Sequence, residues 1–352
     1  MRKSIRIMTT SYCKNTCKYC FVKYSKNYKP QKGIWENIKN SLDNIEYSSI
    51  ELIGGEPFHD LDILKEIFEY TDKPITFFTS GTYNQKEVLD LVLQYKSKIQ
   101  FTFFFSYDGM YSERNKFNHK DVKYWIEEFK KHFNVSIRWS VNQEDIKYLY
   151  EHFLEHVDLK IDTPIFFPMK YFDYTDNDIQ IFLQQFEKIL DYCIKNNINW
   201  KGLLSETKRM YFGTKDTFRC DNELTILPDG RFVNCYVAFS SFEFDENMIT
   251  LKPEKDTKIY FQSEKICEKC LSVFASCNKC PGNLKQYQLK TNNYFYYSYC
   301  KLMSELGKMY IKKRSQIDCE TLFIFTQGND ITNVVTNINN KIIISKPKEV
   351  LW

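Results

Sequence analysis

The chain is short of turn formers, with eleven glycines and nine prolines in 352 residues, and it has only five histidines. So little Gly and Pro excludes a collagen-like repeat or a Pro/Gly-rich low-complexity chain. No stretch approaches the roughly 20 uninterrupted apolar residues of a membrane-spanning helix, and the start, MRKSIRIMTTSYC, lacks the apolar segment of a secretory signal. The expected location is therefore cytoplasmic, with no membrane partner. An excess of one charge is missing as well. Forty-nine basic residues face 45 acidic ones, leaving +4, and the basic residues are spread along the chain. That balance gives no electrostatic footprint for nucleic acid.

What the chain does have is a core and cysteine. Its 43% hydrophobic content is ample for burial, and it carries twelve cysteines. In a reducing compartment close-set thiols read as metal or cluster ligands in preference to disulfides.

Apolar, β-prone runs occur at Ile5 to Thr9, Ile50 to Ile53, Ile75 to Thr79, Ile99 to Phe105, Val135 to Val141 and Pro164 to Phe167. Between them lie stripes at helical spacing: Ile34, Ile38, Leu42, Ile45; Ile63, Leu64, Ile67, Phe68; Val122, Ile126, Phe129, Phe133; and Ile146, Leu149, Phe153, Val157. Six β/α repeats predict an α/β fold, a partial (β/α)6 TIM-type barrel, whose chemistry belongs on the loops at the C-terminal strand ends.

The first such loop is SYCKNTCKYCFVKY, with Cys13, Cys17 and Cys20 in eight positions. Three thiolates on so short a loop can hold three corners of a 4Fe-4S cubane and leave one iron open. A zinc site is the alternative, although zinc usually takes a closed set of four ligands and no fourth lies near in sequence. Cys193, on the stripe Ile179, Phe182, Phe186, Ile189, Leu190, Cys193, is expected in the core, and Cys319 lies apart from every cluster. His152 and His156, four residues apart beside Glu151 and Glu155, are expected on a solvated helix face.

CKNTCKYC resembles the CxxxCxxC pattern of the radical S-adenosylmethionine (SAM) superfamily. The resemblance implies that the open iron chelates SAM and that Tyr19 packs beside its adenine. Gly54, Gly55, Glu56 and Pro57 match the family's GGEP segment, which meets the ammonium of SAM. Thr79, Ser80 and Gly81 resemble its TNG-like turn, and Ser106, Tyr107, Asp108 and Gly109 its SxDG. Asn142, at the fifth strand end, is expected to face the cofactor. Arg114 comes earlier than the Arg that the family places about a dozen residues beyond the Ser.

Further along, Cys220, Gly230 with Cys235, Cys267, Cys270, Cys277, Cys280 and Cys300 fall in the order of the SPASM extension of radical SAM enzymes. One residue is displaced from the last gap of CEKCLSVFASCNKC to the middle one, and the extra Cys of many relatives is absent from DNELTILPDG. The resemblance implies that Cys267, Cys270, Cys277 and Cys300 ligate an outer auxiliary cluster. Cys220, Cys235 and Cys280 would hold an inner one with an iron left open or bound by a group such as Asp221. Zinc knuckles are the alternative for these CxxC pairs. Asp229 and Gly230 read as the turn of a hairpin.

The expected organisation is residues 1–212 as radical SAM core, 213–315 as SPASM domain and 316–352 as a β-prone tail. In that tail Thr321 to Thr326 and Lys341 to Ser345 are strands separated by the polar NDITNVVTNINN, a hairpin that either completes a sheet or captures an extended peptide. The expected cofactors are SAM and three 4Fe-4S clusters, and the expected activity is that of a radical SAM oxidoreductase acting as a peptide maturase. Such an enzyme abstracts a hydrogen atom from a ribosomally made precursor peptide and forms a thioether or carbon-carbon crosslink. A formylglycine-forming sulfatase-type maturase, and a non-catalytic zinc or iron-sulfur binding protein, are the alternatives. Flavodoxin or ferredoxin is the expected reductant. Only twelve residues precede Cys13, which leaves leader recognition to a separate protein or another surface.

Overall fold

Strand β1, Ile5–Thr10, opens a run of six β/α units in which the six expected strands form and five helices lie on the apolar stripes, with a further helix between the third and fourth strands that no stripe had indicated. The computed structural model describes residues 4–15, 17–20, 22, 32–161, 174–196, 198, 224–233, 301, 302, 305, 306 and 309, and the backbone of short strands at 165–168, 249–250, 323–327, 330–338 and 341–345. After β1 come α1 (Trp35–Asp43), β2 (Ile50–Gly54), α2 (Leu61–Tyr70), β3 (Ile75–Thr79), α3 (Gln85–Tyr95), β4 (Phe101–Ser106), α4 (His119–Lys130), β5 (Asn134–Val141), α5 (Leu149–Asp158), β6 (Ile165–Pro168) and α6 (Asp176–Lys195).

The six strands pair in parallel in sequence order, β1 beside β2 through to β6. Each crossover therefore steps the same way along the sheet, and all six strands end on one edge, as in part of a TIM-type barrel.

Alternation along the strands decides which face each residue serves. In β4 Phe101, Phe103 and Phe105 are buried while Thr102, Phe104 and Ser106 are half-buried. The buried set packs with Phe58, Phe68, Phe77 and Phe129 in the main core. Phe77 and Phe103 stack at 4.9 Å, and Phe103 meets Phe129 edge-on at 4.7 Å. On the opposite face Met8, Ile53 and Leu227 form a smaller cluster with Phe78 against it, and Arg138 lies 5.5 Å over the Phe78 ring. The long helix α6 buries Ile179, Phe182, Phe186, Ile189, Leu190 and Cys193, so Cys193 is the core residue its stripe indicated.

The sheet continues past β1 with a hairpin, β7 (Thr225–Ile226) and β8 (Phe232–Val233), followed by β9 (Ile249–Thr250). Asp229 and Gly230 make its turn, closed by Gly230 N–H to the Leu227 carbonyl at 2.9 Å, as the sequence indicated. Its parallel pairing with β1 had no sequence signal.

A separate antiparallel sheet contains β10 (Phe323–Gln327), β11 (Asp330–Ile338) and β12 (Lys341–Ser345). This corrects the two-stranded expectation, because NDITNVVTNINN supplies the middle strand. Its β-branched Ile331, Thr332, Val334, Val335, Thr336 and Ile338 favour extended backbone and outweigh the interspersed asparagines.

Candidate functional site

Cys13, Cys17 and Cys20 follow β1 directly and none is in a disulfide; Cys17 is buried and the other two are half-buried. The Cys20 amide donates to the Cys17 carbonyl at 3.0 Å, closing a turn that carries Tyr19 inward to 5% exposure.

Two later strand ends hold this loop. At its root, the Gly55 amide donates to the Thr10 carbonyl at 2.8 Å and the Glu56 amide to the Tyr12 carbonyl at 2.7 Å. The contact is so close that a Cβ on Gly55 would lie 2.1 Å from the Tyr12 oxygen. The glycine is thus required by the approach of one backbone to another. Pro57 then starts a short 3-10 turn, and the next residue, Phe58, is buried in the aromatic core, stacked on Phe129 at 5.9 Å.

The Glu56 carboxylate is fully buried, and its oxygens accept from Thr79 Oγ1 at 2.5 Å, the Ser80 amide at 2.7 Å, Ser80 Oγ and the Phe58 amide at 3.2 Å. Burial pushes its pKa up, and the Ser80 and Thr79 hydrogen bonds pull against that shift. GGEP and the TSG turn are in this way one hydrogen-bonded unit.

The loop after β4 clasps the far side. Asp108 is fully buried and accepts from the Tyr19 hydroxyl and, at 2.7 Å, from the Ser140 amide. Arg114 lies 3.4 Å from Asp108 and holds its guanidinium 5.1 Å over the Tyr19 ring, which places it beside the cysteine loop. Burial opposes the Arg114 charge, but Asp108, Tyr19 and Cys17 outweigh it and hold its pKa well above the ordinary value. Burial drives the Asp108 carboxyl upward, against Arg114 first and then Tyr19 and Ser140. Next door, Glu113 accepts from the Lys18 amide at 3.3 Å.

A family model described as "Radical SAM superfamily" matches residues 7–159, which span every part of this arrangement. Residues 7–159 match a radical SAM domain. Among solved structures, anSMEcpe with bound AdoMet shares 17% identity at a TM-score of 0.63, over 90% of this chain and 100% of that one. SuiB from Streptococcus suis, bound to precursor peptide SuiA, shares 18% identity at a TM-score of 0.54, over 86% of this chain and 76% of that one. anSMEcpe with bound AdoMet and Cp18Cys peptide shares 16% at a TM-score of 0.58, over 89% and 98%. At these identities the likeness is one of fold. No curated protein matches the sequence.

Three cysteines within eight residues, none in a disulfide, supply the donor type and number that a cubane takes from one loop, although no three metal-binding side chains already converge on one point among the described residues. The buried Arg114 Nε–H beside them has no partner among the described residues, and a buried donor of that kind suits an anionic group.

Two sequence expectations change here. His152 and His156 are 1% and 0% exposed, so they do not form a solvated face. They belong to a buried brace under the Asp108 loop. His152 Nε2 accepts from the Tyr111 amide at 3.2 Å, and His156 Nε2 lies 3.2 Å from the Tyr107 carbonyl. Glu155 accepts from the Tyr107 hydroxyl at 2.6 Å and the Met110 amide at 3.1 Å. Burial pushes the His152 pKa down to about 4, and burial with the neighbouring His152 pushes that of His156 down to about 3. Gly109 sits on this brace at φ +102°, where a Cβ would fall 2.3 Å from the His152 ring. The helical stripe of α5 is wider than its aliphatic residues alone showed.

The second change concerns Arg114. Its early position brings it to the cysteine loop, and the packing of 106–118 against that loop could not be read from spacing.

Of the other site candidates, Ser106 ends β4 half-buried, and Asn142 spends its amide on Asp145 at 2.5 Å and on the Glu144 and Asp145 amides. A cleft of about 350 Å3 opens beside the loop root, lined by Tyr12, Lys32, His59, Asp60, Asp62 and Asn84, with Tyr12 stacked on His59 at 5.4 Å. Cys220, Cys235, Cys267, Cys270, Cys277, Cys280, Cys300, Cys319 and Asp221 lie outside the described residues.

Proposed function

We propose that this protein is a radical SAM oxidoreductase that matures a ribosomally made peptide, forming a thioether or carbon-carbon crosslink by hydrogen-atom abstraction. The observation that carries the reading is the three-thiol loop pinned at its root by Gly55 and Glu56 and at its far side by Asp108 and Arg114. A peptide substrate is supported by two solved structures of the same fold that hold peptides, SuiA and Cp18Cys.

In this reading Cys13, Cys17 and Cys20 ligate the first cluster, and SAM lies against Tyr19, Gly54, Gly55, Pro57, Thr79, Ser106 and Asn142. Glu56 and Asp108, with their oxygens already engaged, act by shaping the loops that meet SAM. When bound, cluster and SAM supply a one-electron reductive cleavage and, from it, removal of hydrogen from an unactivated carbon. The chain's own part is to fix the thiolates, shield the site from water and present the substrate carbon. Cys220, Cys235, Cys267, Cys270, Cys277, Cys280 and Cys300 would hold two auxiliary 4Fe-4S clusters, one-electron acceptors for an oxidation of the substrate. A small electron carrier, flavodoxin or ferredoxin, is the reductant.

The test is anaerobic reconstitution, with iron and sulfide counted and reductant-dependent 5′-deoxyadenosine measured from SAM. About twelve irons per chain are expected, falling by about four, with SAM cleavage lost, when Cys13, Cys17 and Cys20 become Ala. A two-hydrogen mass loss in a co-expressed precursor peptide marks a crosslink; conversion of Cys or Ser to an aldehyde marks formylglycine formation. Zinc in place of iron, or loaded iron without SAM cleavage, refutes the reading.

A further inference from the structure

Arg114 is a largely enclosed cation in an unusual position. Its side chain is 13% exposed, it pairs with Asp108 at 3.4 Å, its guanidinium lies on the ring of Tyr19, the residue before Cys20, and its buried Nε–H has no partner among the described residues. One carboxylate neutralises it in the absence of any cluster. Asp108, in turn, is anchored by the Ser140 amide and the Tyr19 hydroxyl, so it cannot swing away with the guanidinium. The arginine is therefore fixed beside the cysteine loop by a frame from β5, the 106–118 loop and that loop's own Tyr19.

Two physical consequences follow. A rigid buried cation acts through a low-dielectric medium and is screened far less than a surface lysine. A 4Fe-4S core with three thiolates carries a net charge of minus one when oxidised and minus two when it takes up one electron, so a fixed positive neighbour favours the reduced form. The buried, unpartnered Nε–H adds a hydrogen-bond donor beside the cysteine loop.

We propose that Arg114 is a positioning and tuning residue for the N-terminal cluster, held by Asp108 and Tyr19 beside the cysteine loop so that its charge and Nε–H raise the cluster's reduction potential. The proposal rests on the cluster assignment made under Proposed function. Lysine would keep the charge but lose the planar fork that pairs with Asp108 and covers Tyr19. Glutamine would keep a donor and lose the charge.

The experiment is a redox titration with dithionite as the one-electron donor, followed by electron paramagnetic resonance on full-length wild type, Arg114→Lys and Arg114→Gln. The N-terminal cluster is recognised as the signal lost in the Cys13, Cys17 and Cys20 to Ala variant. Arg114→Gln is expected to disfavour reduction at least tenfold, a shift of about 59 mV to more negative potential for one electron, and Arg114→Lys to recover most of it. Equal potentials in all three proteins overturn the proposal, as does a Lys variant shifted as far as the Gln one. Should Arg114→Gln fail to take up iron, a Lys variant that loads at near wild-type potential upholds the need for charge. Failure of both to load beside a loaded wild type reduces Arg114 to a structural strut and overturns it. Absence of iron from the wild type instead sinks the cluster assignment beneath it.

Discussion

Acidification should loosen the brace beneath the Asp108 loop, and His156 is the place to read it. Both ring nitrogens of His156 are enclosed by Tyr107, Trp139 at 4.6 Å and the rest of α5, and the group stays neutral until about pH 3. In the unfolded chain it takes a proton near pH 6.5. Its folded value is the lower of the two, so between those values only the unfolded chain is protonated. The stability His156 confers is whole above pH 6.5 and drains away as the pH falls.

At pH 5 the loss is about 1.4 kcal/mol for each of the 1.5 units below 6.5, or about 2 kcal/mol, and His152 adds about as much. Asp145 works in the opposite sense, because burial, then Asp108, push its carboxyl up to about 8. Total stability against pH is therefore blunt, and the informative quantity is a difference. His156→Gln keeps a donor for the Tyr107 carbonyl and removes the titration. Hydrogen exchange of the α5 amides in the apo-protein, at pH 7.5 and pH 5, should show the wild type losing about 2 kcal/mol more than the variant over that interval. Equal losses in the two proteins would refute a neutral, buried His156.

Two substitutions test how the motifs are built into the fold. Gly55→Ala drives a Cβ into the Tyr12 carbonyl, so it should cost on the order of 2 kcal/mol or more and lower iron uptake together with the melting temperature; unchanged melting with full iron would contradict the close backbone approach. Phe58→Ala empties the centre of an aromatic cluster that includes Phe77, Phe103, Phe105 and Phe129, and about 3–5 kcal/mol should be lost in calorimetry of the apo-protein. A loss under about 1 kcal/mol would mean that the site collapses around the gap.

The sequence by itself determined the six strands and five of the six helices between and after them, because strand and helix signals are local and the apolar run Ile99 to Phe105 or the stripe of α6 needs no partner to be seen. It also determined the cysteine loop, GGEP and the Asp229–Gly230 turn, since ligands, close-approach glycines and turn residues are tied to residue type at fixed spacing. Only the tertiary structure decided which acceptor each donor meets. Glu56 gathers Thr79 and Ser80 from 23 and 24 residues away, and Asp108 gathers Tyr19 from 89. Nothing in the local pattern around Arg114 points to Tyr19, and nothing around His152 and His156 separates a wet face from a buried one, because either depends on what another segment lays across it. The middle strand of the tail was hidden for the same reason: asparagines between β-branched residues are polar in sequence, and pairing on both sides makes them a strand. Composition and period act within a turn or a pleat, whereas burial and partner choice are properties of the packed chain.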